Sequence, residues 1–313
     1  MLSRCLLILL VGLGLPLSAA ADTPRVLTTI KPLQLIAAAV LEGVDEPGVL
    51  LPPGASPHTY ALRPSERRAL QQAERIYWVG PDMEMFLERL MAERPGAREL
   101  MDLDGLTVRP LSQSHNFQQE NHAHEHTHVH HHGHGHDHAA GSMDAHIWLS
   151  PDNALVIAQF MVQDLASLYP EQQAQLQSNL EQFEARVGQL DQQIRTRIEP
   201  LQDKPYFVFH DGYGYYEDHY GVAPQGVFSL SHEVQPGARH VNLLRQQLQK
   251  SGPSCVFSEP QFTPRLVDSL TQGLPVQQGE LDPLGTDISV SAQGYEALLA
   301  DLSERLAGCL ERL

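Results

Sequence analysis

Cysteine is scarce in this chain, which has three cysteines among 313 residues. No two of them are close enough to form the CxxC pair on which thiolate zinc sites are built, so such a site is not expected. Cys5 lies in an N-terminal apolar segment, which leaves Cys255 and Cys309. An even pair in an exported chain most simply forms a disulfide, and we expect one between these two residues.

Long apolar runs are also missing beyond the N-terminus. There, Arg4 precedes an apolar run at 5–17 that is followed by small residues at 19–21, a pattern typical of a cleaved secretory signal. The apolar run is too short to span a bilayer. We expect residues 1–21 to be a signal peptide, and we expect the mature chain from Asp22 not to be inserted in the membrane.

Positive charge is in short supply, because 21 Lys and Arg face 38 Asp and Glu and the net charge is −17. This balance argues against nucleic acid and anionic lipid as partners, and it attracts cations in general. A soluble exported protein with an acidic surface would show the same balance. Charge alone therefore does not establish a cation-binding function.

The sequence motifs of common enzyme classes are absent, since there is no P-loop, no GxGxxG and no recognisable Ser/His/Asp arrangement. Residues 124–128, His-Glu-His-Thr-His, do match the HExxH pattern of zinc proteases. That pattern works on a helix, where both histidines share one face. The glycines at 133 and 135 and the lack of an apolar face argue against a helix here, and we expect no enzyme.

Histidine, by contrast, is abundant, with 17 residues. From His122 to His138 nearly every second residue is a histidine, and neutral imidazole is the commonest side-chain ligand for zinc, copper and nickel. Short His-rich tracts are typical of metal binding, although a linker of biased composition is the alternative. We expect a disordered, weakly metal-binding loop at about 112–141, whose candidate ligands are His115, His122, His124, His126, His128, His130, His131, His132, His134, His136 and His138.

Strand-like and helix-like segments alternate on both sides of one long helical segment, which predicts two α/β domains with parallel sheets. Between 171 and 198 apolar residues recur at steps of three and four, typical of one buried stripe on a helix. A coiled-coil dimer is the alternative, but Gly188 interrupts the repeat. We therefore expect an N-terminal domain at 22–168, a linking spine helix at 169–200 and a C-terminal domain at 201–313.

Four side chains are candidate metal ligands: His58, His210 and Asp282, each after a predicted strand, and His146, which opens the strand-like segment Ile147–Leu149 ahead of a helix. Ligands of open α/β sheets bind beyond the carboxyl ends of the strands. Two candidates come from each half of the chain, so the sequence predicts a metal site in the cleft between the domains.

Each of these candidates has a structural alternative. His58 could be a surface residue, His210 a hydrogen-bonded semi-buried histidine, and Asp282 the start of a turn before proline. Three further histidines have no comparable setting and are expected to face solvent: His219, His232 and His240.

Seven short segments, spread over almost the whole mature chain, resemble the metal-binding lipoprotein/ZnuA family, the periplasmic solute-binding proteins of zinc-uptake ABC transporters. The family fold is two α/β domains joined by a long helix. The segments are Gly54–Tyr60, Leu62–Ser65, Val79–Glu84, Asp144–Pro151, Phe209–Asp211, Phe257–Gln261 and Leu281–Gly285.

The resemblance implies metal ligands at His58, His146 and His210, with Asp282 at the fourth position. Manganese-binding relatives carry a glutamate at the third position, whereas three imidazoles suit tetrahedral zinc. Some zinc-binding members have a glutamate directly before the first histidine, where this chain has Pro57. The fourth ligand is therefore open between Asp282 and a water molecule.

The function implied by the resemblance is high-affinity capture of Zn²⁺ in the periplasm and its delivery to an inner-membrane ABC permease with its ATPase. We expect a monomer with no nucleic-acid partner. A zinc-dependent hydrolase would instead need an open coordination position and a general base. A zinc-storage protein would depend on the His-rich tract alone, and a surface adhesin is a weaker alternative because nothing marks anchoring.

Overall fold

The computed structural model describes residues 24–111, 143–229, 238–261 and 264–313. The predicted signal peptide, the His-rich tract and His232 lie outside these residues. No helix in the described ranges combines the length and the apolar character that crossing a bilayer requires.

The first half of the chain forms a four-stranded parallel sheet with the strand order β2-β1-β3-β4. Its strands are β1 (Val26–Thr28), β2 (Gly48–Val49), β3 (Arg75–Trp78) and β4 (Ala97–Glu99). The helices up to the domain connection are α1 (Lys31–Val40), α2 (Pro64–Gln72), α3 (Glu88–Ala92), α4 (Pro151–Leu165) and the long α5 (Gln173–Ile198).

The second half forms another four-stranded parallel sheet, with the order β6-β5-β7-β8. Its strands are β5 (Tyr206–His210), β6 (Gly226–Ser229), β7 (Ser254–Ser258) and β8 (Val276–Glu280). The helices are α6 (Gly214–Tyr220), α7 (Ala238–Ser251), α8 (Pro264–Thr271) and α9 (Gly294–Leu310). The predicted disulfide is present and joins Cys255 on β7 to Cys309 on α9, 54 residues apart.

Helix α5 has 26 residues and is therefore about 39 Å long at 1.5 Å per residue. Its apolar stripe is buried from Leu176 to Ile198, and it packs on α1 and α4 of the first half and on α9 of the second. Asn179 adds a polar anchor, since its amide donates to the carbonyl oxygens of Val40 and Glu42 at the end of α1. One helix thus contributes to the packing of both halves.

The predicted fold class is confirmed, because both sheets are parallel and a long helix lies between them in the chain. Three local details differ from the prediction. Strand β4 and helix α6 were not expected, and Ile147–Leu149 is a turn of 3₁₀ helix and not a strand. The apolar run Ile147–Leu149 is too short to show a periodicity, so the sequence does not distinguish a strand from a buried helical turn there.

Candidate metal centre

Three histidine rings meet where the two halves of the molecule face each other. His58 lies in the loop between β2 and α2, His146 precedes the 3₁₀ turn, and His210 is the last residue of β5. One potential ligand nitrogen from each ring lies within 4.8 Å of the others. His146 and His210 are buried and His58 is half-buried. The structure therefore brings together three of the four candidate residues, of which His58 and His210 follow from the strand-end rule and His146 does not.

The rings of His146 and His210 can approach each other closely because residue 212 is a glycine and has no side chain. A Cβ atom on Gly212 would lie 2.4 Å from Cε1 of His210 and 3.0 Å from Nε2 of His146. The centroids of these two rings are 4.7 Å apart. Glycine at 212 thus leaves the space in which the two imidazoles from different halves meet.

A buried carboxylate orients His146. Nδ1 of the ring lies 2.8 Å from Oδ1 of Asp144, and the same oxygen accepts the backbone N–H of His146. Burial works to raise the pKa of Asp144, but the hydrogen bonds and charge of His146, together with Arg109, hold this pKa below its ordinary value. A carboxylate on Nδ1 fixes the tautomer and leaves Nε2 for a metal ion.

His210 has a comparable partner, because its Nδ1 lies 3.3 Å from Oε1 of the buried Glu259. Complete burial lowers the pKa of His210 well below 6.5, and the nearby charge of His146 lowers it further. The ring is therefore neutral at neutral pH, the protonation state that a metal ligand requires.

Asp282 is not a member of the cluster of ligand atoms. Its carboxylate accepts the backbone N–H groups of Leu284 and Thr286, at 3.0 and 2.6 Å. The following loop still reaches the site, because Pro283 and Leu284 line the same small cavity as the three histidines. The role of Asp282 as fourth ligand stays a prediction.

Two further polar side chains line this cavity, Ser56 and Gln261. Within the described residues, the hydroxyl of Ser56 and both amide atoms of Gln261 are buried without a hydrogen-bond partner. Buried polar atoms are nearly always satisfied by protein or by water. The side chains of Ser56 and Gln261 therefore suit a cavity in which a water molecule or another polar ligand accepts or donates their hydrogen bonds.

The expectation that His219 faces solvent is wrong. Its side chain is only 9% exposed, and Nε2 lies 2.6 Å from Oδ1 of Asp191 on α5. The reason is α6, which was not predicted and which turns this histidine toward the long helix. The side chain of His240 and all of His232 lie outside the described residues.

The sequence did not single out the residues that hold the histidine rings. Asp144 and Glu259 lie in two of the segments that carry the family resemblance, but the resemblance gives them no role. A carboxylate two residues before a candidate ligand was an available signal for Asp144. Glu259 is 49 residues from His210 and is brought there by the pairing of β5 with β7.

Three imidazoles converge between two parallel-sheet α/β halves, and this arrangement defines an α/β protein with a candidate metal site where the halves meet. A family model described as "Zinc-uptake complex component A periplasmic", ZnuA, matches residues 26–309. The chain belongs to this ZnuA family.

Relatives named high-affinity zinc uptake system protein ZnuA are similar over nearly their full length. The protein from Yersinia pestis is 39% identical over 91% of both chains. The protein from Haemophilus ducreyi is 38% identical, over 95% of this chain and 96% of its own.

Solved structures support the fold. A crystal structure of ZnuA has a TM-score of 0.72 at 23% identity and covers 91% of this chain and 98% of its own. The periplasmic zinc-binding protein TroA from Treponema pallidum has a TM-score of 0.73 at 18% identity, covering 92% and 99%.

Proposed function

We propose that this chain captures Zn²⁺ in the periplasm and delivers it to an inner-membrane ABC permease driven by an ATPase. The observation that carries the proposal is the convergence of His58, His146 and His210, with their ligand nitrogens within 4.8 Å of one another. Membership of the ZnuA family and the names of the relatives support it. The protein acts as a monomer and has no nucleic-acid partner.

The donor set favours zinc over manganese. Three neutral imidazoles suit tetrahedral Zn²⁺, whereas Mn²⁺ prefers more oxygen ligands. Zn–N bonds of about 2.0–2.1 Å would draw the three rings closer together than they lie here. Because His210 belongs to one half and the other two histidines to the other, binding would settle the two domains around the ion.

A water molecule is the better candidate for the fourth ligand. Both oxygens of Asp282 already accept backbone N–H groups of its own loop. Ser56 and Gln261 offer polar atoms in the cavity, and Pro57 brings no carboxylate there. A zinc-bound water needs such hydrogen-bond partners.

Transport suits the site better than hydrolysis. A zinc hydrolase uses a free carboxylate or histidine as general base beside the metal-bound water. Asp144 and Glu259 are instead directed at Nδ1 of His146 and His210. Their geometry suits the positioning of ligands, and we propose that the chain is a binding protein and not an enzyme.

The histidines of the tract, which lies outside the described residues, are proposed to add weak zinc sites that raise the local zinc concentration. Storage by this tract alone is the alternative function. The two functions differ in their dependence on the cleft, because storage would be indifferent to His58, His146 and His210.

The test is calorimetric zinc titration of the mature chain lacking 115–138, and of the same chain with His58→Ala, His146→Ala and His210→Ala. We expect one tight site in the first protein and its loss in the second. The chain with an intact tract serves as the control and should bind additional zinc weakly. If deletion of 115–138 abolished all tight binding while the three histidines were intact, storage by the tract would be the better function.

A further inference from the structure

Arg109 links the candidate metal site to the opposite domain. Its Nη1 lies 3.5 Å from Oδ2 of Asp144, whose other oxygen holds His146. Its Nε lies 3.3 Å from Oδ2 of Asp218, on helix α6 of the C-terminal half. Arg109 belongs to the N-terminal half, so one guanidinium contacts both the carboxylate that orients the candidate ligand His146 and a helix of the other half.

The same two segments are joined a second time by Tyr215 of α6. Its buried hydroxyl donates to the carbonyl oxygen of Asp144 at 2.8 Å and accepts the backbone N–H of Arg109 at 3.2 Å. The backbone N–H of Asp144 in turn donates to the carbonyl oxygen of Arg109. The segment that carries His146 is therefore held in place by α6.

Helix α6 has a glycine where the guanidinium lies. A Cβ atom on Gly214 would lie 0.9 Å from Nη1 of Arg109 and 2.2 Å from Cζ, and the three nearest atoms all belong to this arginine. Its φ is not in the left-handed region. A side chain at position 214 would therefore prevent the close approach of Arg109 to the helix.

We infer that Arg109 is a positioning residue that makes zinc affinity depend on the contact between the two domains. It holds one oxygen of Asp144, so that the other oxygen stays on Nδ1 of His146 and Nε2 points toward His210. Because α6 begins only four residues after His210, this contact sets the distance between ligands from the two halves. The inference rests on the proposed zinc-binding function and names a residue that sets the affinity of that site.

The chain offers two independent ways to remove the contact. Arg109→Ala removes the guanidinium, whereas Gly214→Ala displaces it from the opposite domain without a change of charge. Loss of groups that orient metal ligands typically weakens affinity tenfold to hundredfold. We expect each variant to weaken zinc binding about tenfold, and the double variant to be no weaker than either single variant, because both act on one contact.

Arg109→Lys should recover part of the loss, since an ammonium group can bind Asp144 but lacks the fork that reaches two carboxylates at once. Arg186→Ala is the matched control. Arg186 also makes a half-buried ion pair, with Glu296 on α9, and it is 26% exposed against 22% for Arg109. Its loss should leave zinc affinity unchanged.

The measurement is competition for zinc against a chelator of known affinity, at less than one equivalent of zinc, in the full mature chain. The visible spectrum of the Co²⁺ form gives a second readout, because it reports coordination geometry and is indifferent to general stability. We expect an altered spectrum in Arg109→Ala and Gly214→Ala and the parental spectrum in Arg186→Ala. Thermal unfolding of each zinc-free variant verifies that it is folded.

Two results would overturn the inference. If the parent binds zinc tightly and both single variants bind it equally tightly, Arg109 has no positioning role and the proposed function stands. Additive losses in the double variant would show that Gly214 acts by another route, and would also contradict it. A parent without a tight site would overturn the proposed function together with the inference.

Discussion

At the scale of single residues, Gly212 sets how closely His146 and His210 approach. We expect Gly212→Ala to weaken zinc binding more than tenfold, because the new methyl group would lie 2.4 Å from a ring atom of His210. That ring is buried and held by Glu259, so it can avoid the methyl group only by moving away from its ligand position.

The check is zinc affinity by chelator competition, with Gly308→Ala as the control. A Cβ atom at Gly308 on α9 meets nothing within 4 Å, so the affinity should be parental there. An unchanged zinc affinity in Gly212→Ala would contradict the view that the two rings need a glycine at 212 in order to approach each other.

The candidate ligands could be proposed from the sequence, whereas Arg109 and Tyr215, which hold the segment of His146, could not. His58 and His210 stand out because each follows a strand end, and ligands of α/β sheets bind there. Arg109 and Tyr215 do not stand out, because their role depends on contacts across 106 positions of the chain. No local sequence pattern around Arg109 identifies the residues that it contacts.

At the scale of elements, α5 is the helix on which both halves pack, and it contains an interior glycine. Gly188 is exposed, and a Cβ atom there would meet nothing within 4 Å. We expect Gly188→Ala to raise the free energy of unfolding by about 0.5–1 kcal/mol, because alanine loses less backbone entropy than glycine in a helix.

Chemical denaturation of the zinc-free chain measures this gain, and zinc affinity should stay parental. A loss of stability would instead mean that position 188 is in contact with another surface, as the coiled-coil alternative requires.

The long helix was predictable and two short elements were not, for a physical reason. Helix α5 repeats its apolar spacing over many turns, and a helical period that is repeated so often can be recognised in the sequence alone. Strand β4 has three residues, Ala97–Glu99, without apolar alternation, and α6 has seven. Such elements are fixed by their neighbours, β4 by pairing with β3 and α6 by packing on α5.

At the scale of the whole molecule, an acidic chain buries carboxyl groups away from the metal site. Burial raises the pKa of Glu84 and of Glu217 from 4.5 to about 7 and about 8. Burial and neighbouring carboxylates raise the pKa of Glu99 to about 7. The folded chain therefore binds protons near neutral pH that the unfolded chain has already released.

The sign of the effect on stability follows from linkage. Above pH 6.5 these carboxyl groups are already ionised in the unfolded state. In the folded state their ionisation buries a charge, which costs free energy. Stability that the protonated groups contribute is thus lost as the pH rises through their folded-state pKa values. The lowered pKa of His210 acts in the opposite direction, but only below about pH 6.5.

We therefore expect the zinc-free chain to lose about 1–2 kcal/mol of unfolding free energy between pH 7 and pH 8.5, with Glu217 as the largest contributor. Glu217→Gln should keep the acceptor for the hydroxyl of Tyr206 while removing the ionisation, and so should reduce this loss by about half or more. Urea denaturation of both proteins at the two pH values measures the difference. If the variant lost as much stability as the parent, the buried charge would lie elsewhere, and an increase in stability toward pH 8.5 in the parent would contradict the assignment of all three carboxyl groups.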